Sequence, residues 1–599
     1  MPSVSSSQSL ESGPLHPSGA GERSEAGTAL LMILLAMFAI GLMSMVVAQV
    51  ASTELTIISN ITAGTASFMP ADGASQVLLR DLVNMARSLG RFPTDAELAT
   101  ISAPPFSSVN LTQFTAFADG PELAQSLSGG LYIGLSAQIQ PFKILATATR
   151  DGPPASNATV EIDGEFASIP IFQFGALYEQ DLEIFPGPSM TLGGRLHSNG
   201  DIYIGTGSTV SLNAPVTTNG KIYNFRKDDS TTPPGTVNIL DSVGVYQAMA
   251  GLDSTDPNWS SQAMDRWDGR VRTGNLGGQR LDLVIEDPLN PHLVIEPGRP
   301  TDSAADQAAK IYYQAGLRIL NGQGYDGSGT PVSLIDPLTS TSAVRETLID
   351  DPRESKTMLT VEVDMAKLGR LSAYPVNGVV YVGAFEPTGG MPMWLGGSSG
   401  VGPAAWVGYD TPWSGTGTTE FAVKLANGQQ LVSPLSVTTE NPVYIHGNYN
   451  TVAKKGAAVM ADAVTILSNA WGDLDYDGTF DEDLAYSQLP LTFRFATPTT
   501  VNAALMMGNT TTAVGGPYNG GLENLPRLIE YWAGGSLTLR GSFVDLWQSI
   551  YADSPYGAAG VYSAPIRSWL FDPDFLSLGN LPPASPRVYQ IRVTGWHHR

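Results

Sequence analysis

One run of residues near the N-terminus limits what this chain can fold into more than any other feature. From Ala26 to Thr53 the sequence carries no charged residue, and Ala26–Val50 is almost entirely apolar. A helix of that length rises about 37 Å, which exceeds a hydrocarbon core of about 30 Å. The sequence therefore predicts a membrane-anchoring helix. The Ser-, Pro- and Gly-containing residues 1–27 ahead of it predict a disordered leader.

The helical character continues beyond the apolar run. Five apolar residues recur at spacings of three and four, which predicts one stripe on an amphipathic helix. They are Ala74, Leu78, Leu82, Met85 and Leu89. Pro70 should kink or interrupt this helix, Gly90 is a stop signal, and Thr94–Glu97 has the capping-box pattern of a further short helix. Residues 28–100 are therefore predicted to form a transmembrane helix and an amphipathic helical stalk.

Composition excludes several classes of function. The 599 residues carry 56 Asp+Glu against 32 Lys+Arg, a formal charge of −24, which argues against nucleic acid and anionic lipid surfaces as partners. The absence of cysteine removes disulfides, thiolate metal sites and cysteine nucleophiles. Because 42% of the residues are apolar, wholesale disorder is excluded as well.

Beyond residue 100 the chain consists of short β-branched or aromatic runs separated by Gly, Pro, Asn and Asp, which predicts an all-β body. Examples are Gly130–Leu135, Phe142–Thr149, Ala158–Ile162, Leu281–Ile285 and Leu359–Val363. The expected regions are a small α+β region over 101–170, a β-rich region over 171–300, a Gly/Pro-rich β region over 301–435 and a C-terminal β region over 436–599.

An internal repeat of twenty residues lies within the 171–300 region. The matching segments are Met190–Leu192 with Val210–Leu212, Leu196 with Val216, Asn199-Gly200 with Asn219-Gly220, and Ile202-Tyr203 with Ile222-Tyr223. Such a repeat predicts rungs of a β-solenoid, in which Asn199 would stack over Asn219. Two Asn-Gly hairpins in an ordinary sheet are the alternative. The expected fold class is mainly β, with a long N-terminal hydrophobic α-helix and a head that is partly a β-solenoid, similar to a parallel β-helix.

Several segments together resemble a known family. At the N-terminus they are Glu22–Leu31 and Ser52–Leu55, and in the body they are Phe172–Asp201, Asn441–Trp471, Tyr518–Trp532 and Tyr562–Pro583. The set resembles PilX-type minor pilins, components of type IV pilus assembly, in the long form found in environmental bacteria. The blocks of the body follow one another in the same order as in that family.

The resemblance implies a single-pass protein of the bacterial inner membrane, with its C-terminal body periplasmic or extracellular in a pilus. It implies prepilin-peptidase cleavage after Gly27, so that Thr28 becomes the first mature residue. Met32 then takes the fifth mature position, where major pilins carry a glutamate. The implied partners are other pilins through the N-terminal helix, a PilY-type tip adhesin and the inner membrane, with no nucleic acid. Ordinary secretion with cleavage near Ala48 or Ala51 is the alternative.

One acidic segment has most of the pattern of an EF-hand calcium loop, with Gly478 at the sharp turn. Its candidate ligands are Asp473, Asp475, Asp477, the carbonyl of Thr479 and Asp481. Position twelve is Leu484 instead of a bidentate glutamate, so Glu482 or Asp483 would have to replace that ligand. A solvated acidic turn is the alternative. Ca²⁺ is therefore the predicted cofactor.

The sequence offers no convincing catalytic motif. None of the six histidines has the HExxH spacing, and Gly396–Gly400 matches a nucleophile elbow without the strand before it or the helix after it. We therefore predict a non-enzymatic role in pilus assembly. A membrane-anchored adhesin or carbohydrate-binding module and, less favoured, a β-helix polysaccharide-active enzyme are the alternatives. The aromatic residues considered for ligand contact are Trp394, Trp406, Trp413 and Trp471.

Overall fold

The structure is a computed structural model, which describes residues 25–89, 91–107, 109–283, 285, 290–384, 419–472, 482–556 and 560–599. Within these ranges more residues lie in strands than in helices, and one helix is much longer than the others. The chain is therefore mainly β with a long apolar N-terminal helix, as the sequence predicts.

That helix, α1 (Glu25–Leu89), is continuous over 65 residues. Pro70 lies inside it, so the interruption considered for this residue does not occur. The described helix ends at Leu89, and the predicted stop, Gly90, lies outside the described residues. A short helix, α2 (Asp95–Leu98), follows with the predicted capping box, since Thr94 accepts from the backbone of Glu97 and Glu97 accepts from the backbone of Thr94.

An antiparallel sheet packs on the C-terminal half of α1, in the order β1-β3-β4-β32 with β2 also beside β3. Its strands are β1 (Asn110–Ala118), β2 (Leu123–Ser126), β3 (Ser136–Arg150), β4 (Ser156–Pro170) and β32 (Arg587–His598). We call α1, α2 and these five strands the helix–sheet module. Its last strand comes from the C-terminus of the chain, which the sequence analysis groups with the 436–599 region.

The two long strands of the module bury different faces at their two ends. Phe142 and Ile144 of β3 pack in the core beneath α1, whereas Ile139 of the same strand packs on the opposite side of the sheet. Gly164 lies opposite Phe142, and a Cβ at position 164 would lie 2.2 Å from the Phe142 ring. Glycine is therefore required there for the ring to lie across the neighbouring strand.

Residues 171–586, which we call the insert, separate β4 from β32. They contain a twelve-stranded sheet, the long sheet, in which most neighbours are parallel. In spatial order its strands are β15 (Val271–Arg272), β11 (Val216–Thr218), β8 (Arg195–Ser198), β5 (Phe174–Tyr178), β30 (Phe543–Gln548), β28 (Ala504–Asn509), β25 (Ala457–Met460), β23 (Leu435–Thr438), β21 (Val379–Gly383), β16 (Leu317–Leu320), β17 (Gln323–Asp326) and β18 (Pro331–Val332).

This order means that the chain enters the long sheet near its middle, at β5, and builds outward to β15. It then crosses to the other half at β16 and returns strand by strand to β30, which pairs in parallel with β5. One face of the long sheet packs against the helix–sheet module, and the other lines the largest apolar core of the insert. Both faces are apolar, as expected for buried parallel strands.

Four smaller sheets complete the insert. The first is β14 (Tyr246–Ala248), β13 (Thr236–Leu240), β10 (Thr209–Leu212) and β7 (Met190–Leu192), and the second is β12 (Ile222–Tyr223), β9 (Ile202–Ile204) and β6 (Leu182–Ile184). The third is β19 (Val344–Asp351), β20 (Lys356–Asp364), β22 (Thr419–Ala426), β24 (Val443–His446) and β26 (Val464–Leu467), and the fourth is β27 (Thr499–Asn502), β29 (Ser536–Gly541) and β31 (Ile566–Phe571). The short helices are α3 (Trp259–Trp267), α4 (Ala304–Ala309), α5 (Ile311–Gln314), α6 (Met365–Leu368) and α7 (Glu482–Ser487).

The segments of the twenty-residue repeat stack on one another in parallel. The paired residues are Met190 with Val210, Leu196 with Val216, and Ile202 with Ile222. Hairpins would pair these segments antiparallel, so the hairpin alternative is wrong for them. The expected ladder of side-chain amides differs in detail, because the Asn219 amide donates to the backbone oxygen of Asn199, at 3.4 Å. The Asn199 amide donates instead to Glu179 and to the backbone of Leu281.

The other strand predictions have mixed outcomes. Phe142–Thr149, Ala158–Ile162 and Leu359–Val363 lie within β3, β4 and β20. Gly130–Leu135 instead forms turns, where the Leu127 backbone donates to Leu135 and accepts from Gly134. Leu281–Ile285 is not a strand in its described residues, where Leu283 makes one isolated bridge to Val588.

Removing a side chain from the core beneath α1 should weaken the helix–sheet module. We expect Leu82→Ala to lower the free energy of unfolding by about 2–5 kcal/mol, because Leu82 is fully buried and its loss leaves a cavity. Leu89→Ala, at a position 36% exposed on the same helix, should cost less than about 1 kcal/mol. Denaturant unfolding of the detergent-solubilised chain measures both, and equal losses would contradict the described packing.

Candidate assembly interface

The N-terminal half of α1 is exposed along its described length. Its apolar side chains are exposed from Leu30 to Ile61, and Met32, for example, is 70% exposed. Among the described helices, α1 is the one that is long and apolar enough to cross a membrane. This exposed half therefore requires an apolar environment from outside the chain, either lipid or other helices.

Two hydroxyls along this half are satisfied within the helix itself. The Thr53 and Thr56 hydroxyls donate to the carbonyls of Gln49 and Ser52, at 2.9 and 2.8 Å. Such bonds to the preceding turn pair these two hydroxyls in a medium without water. Gly41 has nothing within 4 Å of the place a Cβ would occupy, so its side of the helix is open for close approach of another helix.

The C-terminal half of α1 buries a stripe of small and apolar side chains against the sheet. Its buried residues are Ala63, Ser67, Ala71, Ala74, Ser75, Leu78, Leu82 and Ala86. The predicted stripe is thus confirmed at Ala74, Leu78 and Leu82. It is wrong at Met85, which is partly exposed, and at Leu89, because the helical period carries the buried side on to Ala86. Alanine and serine let the helix backbone approach the strands closely.

The point where α1 leaves the sheet is marked by specific contacts. The Ser156 hydroxyl donates to the carbonyl oxygen of Ala63 at 2.7 Å, and the Trp596 indole donates to the Asp72 carboxylate at 3.3 Å. The Phe68 ring packs 4.6 Å from His598, measured between ring centroids. Residues from Ala63 onward are therefore held by both the sheet and the C-terminal strand.

The structure describes the backbone of the predicted processing site and leaves its cleavage untested. Gly27 lies in the first turn of α1, and the side chain of Thr28 is exposed. Cleavage between them stays a prediction.

The predicted calcium ligands Asp473, Asp475, Asp477, Thr479 and Asp481 lie outside the described residues, and so do Trp394, Trp406 and Trp413 and the Gly396–Gly400 motif. The two flanks of the acidic segment are described. Trp471 precedes it and is 2% exposed, which is a correction to the sequence analysis, where this ring was a candidate for ligand contact. Asp483 follows the segment and is also buried.

A buried charge cluster ties the two flanks together. The Trp471 indole donates to the Asp483 carboxylate at 2.7 Å, and the Lys424 ammonium lies 2.7 Å from Asp483 and 2.8 Å from Glu362. Arg345 adds a second cation at 2.7 Å from Glu362. Because Asp483 is engaged by Lys424 and Trp471, it is not free to replace the missing glutamate at the end of a calcium loop.

Opposite charges control the ionisation of this cluster. Burial alone raises the pKa of Glu362, but the cations of Lys424 and Arg345 outweigh it and lower the pKa to about 2. Burial lowers the pKa of Lys424, and the two carboxylates more than compensate and raise it. Glu362 and Lys424 therefore both stay charged at neutral pH. Sequence reasoning missed the cluster because its charged members come from β19, β20, β22 and α7, and no local pattern distinguishes them.

Comparisons with known proteins give little guidance. No protein-family model and no curated protein matches the chain. The crystal structure of the competence-associated pilin ComZ from Thermus thermophilus aligns over 90% of this chain and 98% of its own, with 11% identity and a TM-score of 0.23. A TM-score of that size carries no argument about function. The PilX-type resemblance therefore stays a prediction.

Within the described residues, no three His, Asp or Glu side chains converge closely enough to hold a metal ion by themselves. The geometry nevertheless defines a clear candidate surface for association, the exposed apolar half of α1.

Breaking the buried charge cluster should substantially lower the free energy of unfolding. We expect Lys424→Met to lower the free energy of unfolding by about 3–5 kcal/mol, since it leaves Glu362 and Asp483 buried without their shared cation. Lys356→Met removes one partner of the more exposed pair with Glu420 and should cost about 1 kcal/mol or less. Thermal and denaturant unfolding compare the two variants, and similar costs would show that the cluster contributes no more than a surface pair.

Proposed function

We propose that this protein is a minor-pilin-like subunit of a type IV pilus or a related secretion pilus. The observation that carries the proposal is the division of α1 into an exposed apolar half and a half packed on an antiparallel sheet. A subunit of this shape can be held in a membrane before assembly and can bury the same surface among other helices afterwards. The N-terminal resemblance to PilX-type minor pilins supports the same role.

The proposed mechanism is association without chemistry. Lipid tails are as apolar as the side chains of α1, so leaving the membrane for a filament core gives no hydrophobic gain by itself. Close van der Waals packing must favour the helix bundle, and small residues such as Gly41 and Ser44 allow it. The partners of this surface are then the N-terminal helices of other pilins.

We infer that the insert closes into a β-solenoid head carried by the helix–sheet module. Its parallel strands stack at the register of the twenty-residue repeat, which supports this interpretation. The chain leaves the module after β4 and rejoins it at β32, and these two strands pair with each other. A large head can therefore be displayed without changing the part of the molecule that would assemble.

The proposed setting is the bacterial inner membrane, with the body in the periplasm or exposed on a pilus. A PilY-type adhesin at the filament tip is a proposed partner of a subunit that lacks the glutamate at the fifth mature position. We propose no nucleic-acid partner, since the net charge of −24 opposes a polyanion.

Replacing Gly41, a small residue of the exposed half, should impair assembly into pili without affecting membrane anchoring. We expect Gly41→Leu to leave membrane anchoring unchanged, because hydropathy rises, and to lower the amount of this subunit recovered in sheared pili several-fold. Met45→Leu, at another exposed position of the same half, is the matched control and should have no effect. Deleting residues 28–50 should abolish recovery with pili altogether.

Equal recovery of the Gly41→Leu variant and the control would argue against helix packing through this face. N-terminal sequencing of the native protein is a further test of the proposal. A first residue at Thr28 supports pilin processing, whereas a start near Ser52 would replace it with ordinary secretion.

We propose Ca²⁺ as the ligand of the acidic segment between Trp471 and Asp483. Changing Asp475→Asn and Asp477→Asn together should weaken Ca²⁺ binding at least tenfold, because two anionic ligands at loop positions three and five become neutral. Glu122→Gln, at an exposed position elsewhere, is the control for lost negative charge. Isothermal titration with CaCl₂ measures the affinity, and unchanged binding in the double variant would contradict the proposal.

A further inference from the structure

A small cavity lies where the outgoing and returning halves of the insert meet. Its volume is about 10 Å³, room for one water-sized occupant. The wall includes Tyr178 of β5, Glu183 of β6 and Asp545 of β30, together with residues 510–512 and the glycines 520 and 521. Tyr178 and Asp545 are directly paired across the two strands that join the halves.

The oxygen atoms around this cavity are not all satisfied by the chain. Tyr178 is 2% exposed and Glu183 is 6% exposed. The Tyr178 hydroxyl and one carboxylate oxygen of Glu183, Oε2, are buried without a hydrogen-bond partner among the described residues. A buried polar atom without a partner destabilises the folded chain, so an occupant that binds both atoms is favoured.

The charges at the cavity are also unbalanced. Lys227 lines the wall, but its ammonium is 2.8 Å from Asp181, which neutralises it. Within the part of the chain that the structure describes, neither Glu183 nor Asp545 has a Lys, Arg or His nitrogen within 4.0 Å. Burial raises the pKa of Glu183 to about 7 and raises that of Asp545 well above its usual range.

A third carboxylate adds negative charge behind the wall. Glu523 is buried and accepts hydrogen bonds from the Tyr518 hydroxyl, at 2.9 Å, and from the backbone of Phe185. The nearby Arg226 is held by Asp228 at 3.0 Å. Burial raises the pKa of Glu523 as well. Three carboxylates therefore lie close together, while Lys227 and Arg226 are each paired with another aspartate. Either protons or a bound cation must compensate for this negative charge.

We propose that this cavity is a binding site for a hard cation, with Ca²⁺ as the fitting ion. Apart from the Lys227 ammonium, which Asp181 holds, the side chains of the wall offer oxygen atoms from carboxylate, phenol, hydroxyl and amide groups, and oxygen ligands select hard ions. Glu183 and Asp545 supply the two negative charges that balance a divalent ion, and neutral oxygens complete the shell. The residues proposed for this site are different from those of the acidic segment that precedes Asp483.

Such an ion has a defined structural consequence. It ties β5 and β6, at the start of the insert, to β30, the strand with which the chain returns. The ion would thus close the junction between the two halves of the long sheet at the level of the Tyr178 and Asp545 pair. Removal of the cation should loosen the junction and leave the helix–sheet module folded.

The test uses the full chain in detergent, stripped of metal by a chelator, in the Asp475→Asn/Asp477→Asn background that removes the other candidate site. Equilibrium dialysis against about 1 mM Ca²⁺, the range of extracellular calcium modules, should find one ion bound per chain. Adding Glu183→Gln should weaken binding at least tenfold. Tb³⁺ luminescence excited through tyrosine should appear in the background variant and fall sharply in Tyr178→Phe.

Glu530→Gln is the matched control, because Glu530 is fully buried elsewhere in the insert, where Ser468 donates to its carboxylate. This variant should bind the ion as the background does. If Glu183→Gln fails to fold, Tyr178→Phe decides, since it removes a single oxygen. No bound Ca²⁺ in the folded background, or unchanged affinity in Tyr178→Phe, would overturn the proposal and leave the cavity to a water molecule.

Discussion

The packing of the second half of α1 on the antiparallel sheet is the interaction on which the rest of the molecule depends. Small residues such as Ala71 and Ala74 bring the helix against the strands, and Leu78 and Leu82 fill the core beneath it. The sheet needs β32 to complete this core, since Tyr589 belongs to it. The second half of the helix is thus held on the sheet, and the apolar side chains of its first half stay exposed.

The insert is arranged so that its size does not disturb that packing. The chain begins the long sheet at β5 and ends it at β30, and these two strands lie side by side. The outer ends of several sheets carry antiparallel strands, such as β17 and β18 of the long sheet and β14 of a smaller one. Such strands break the parallel repeat and limit edge-to-edge growth.

Local patterns predicted the parts of the fold that depend on neighbours in sequence. The capping box at Thr94 follows directly from the residues, and the parallel register of Ile202 and Ile222 follows from the repeat. The place of β32 could not be predicted, because its partner β4 lies far away in the sequence. The residue pattern of a strand does not specify which other strand it pairs with. The same holds for the cavity between Tyr178 and Asp545, whose members carry no shared motif.

The sequence by itself determined that the chain has an apolar helix long enough to cross a membrane and a body made of short strands, because both depend on composition and on local period. Tertiary structure alone decided which residues of α1 are buried, where the C-terminal strand lies, and which buried charges meet. Lys424, Glu362 and Asp483 show the reason, since each is an ordinary charged residue until folding removes water and brings all three together.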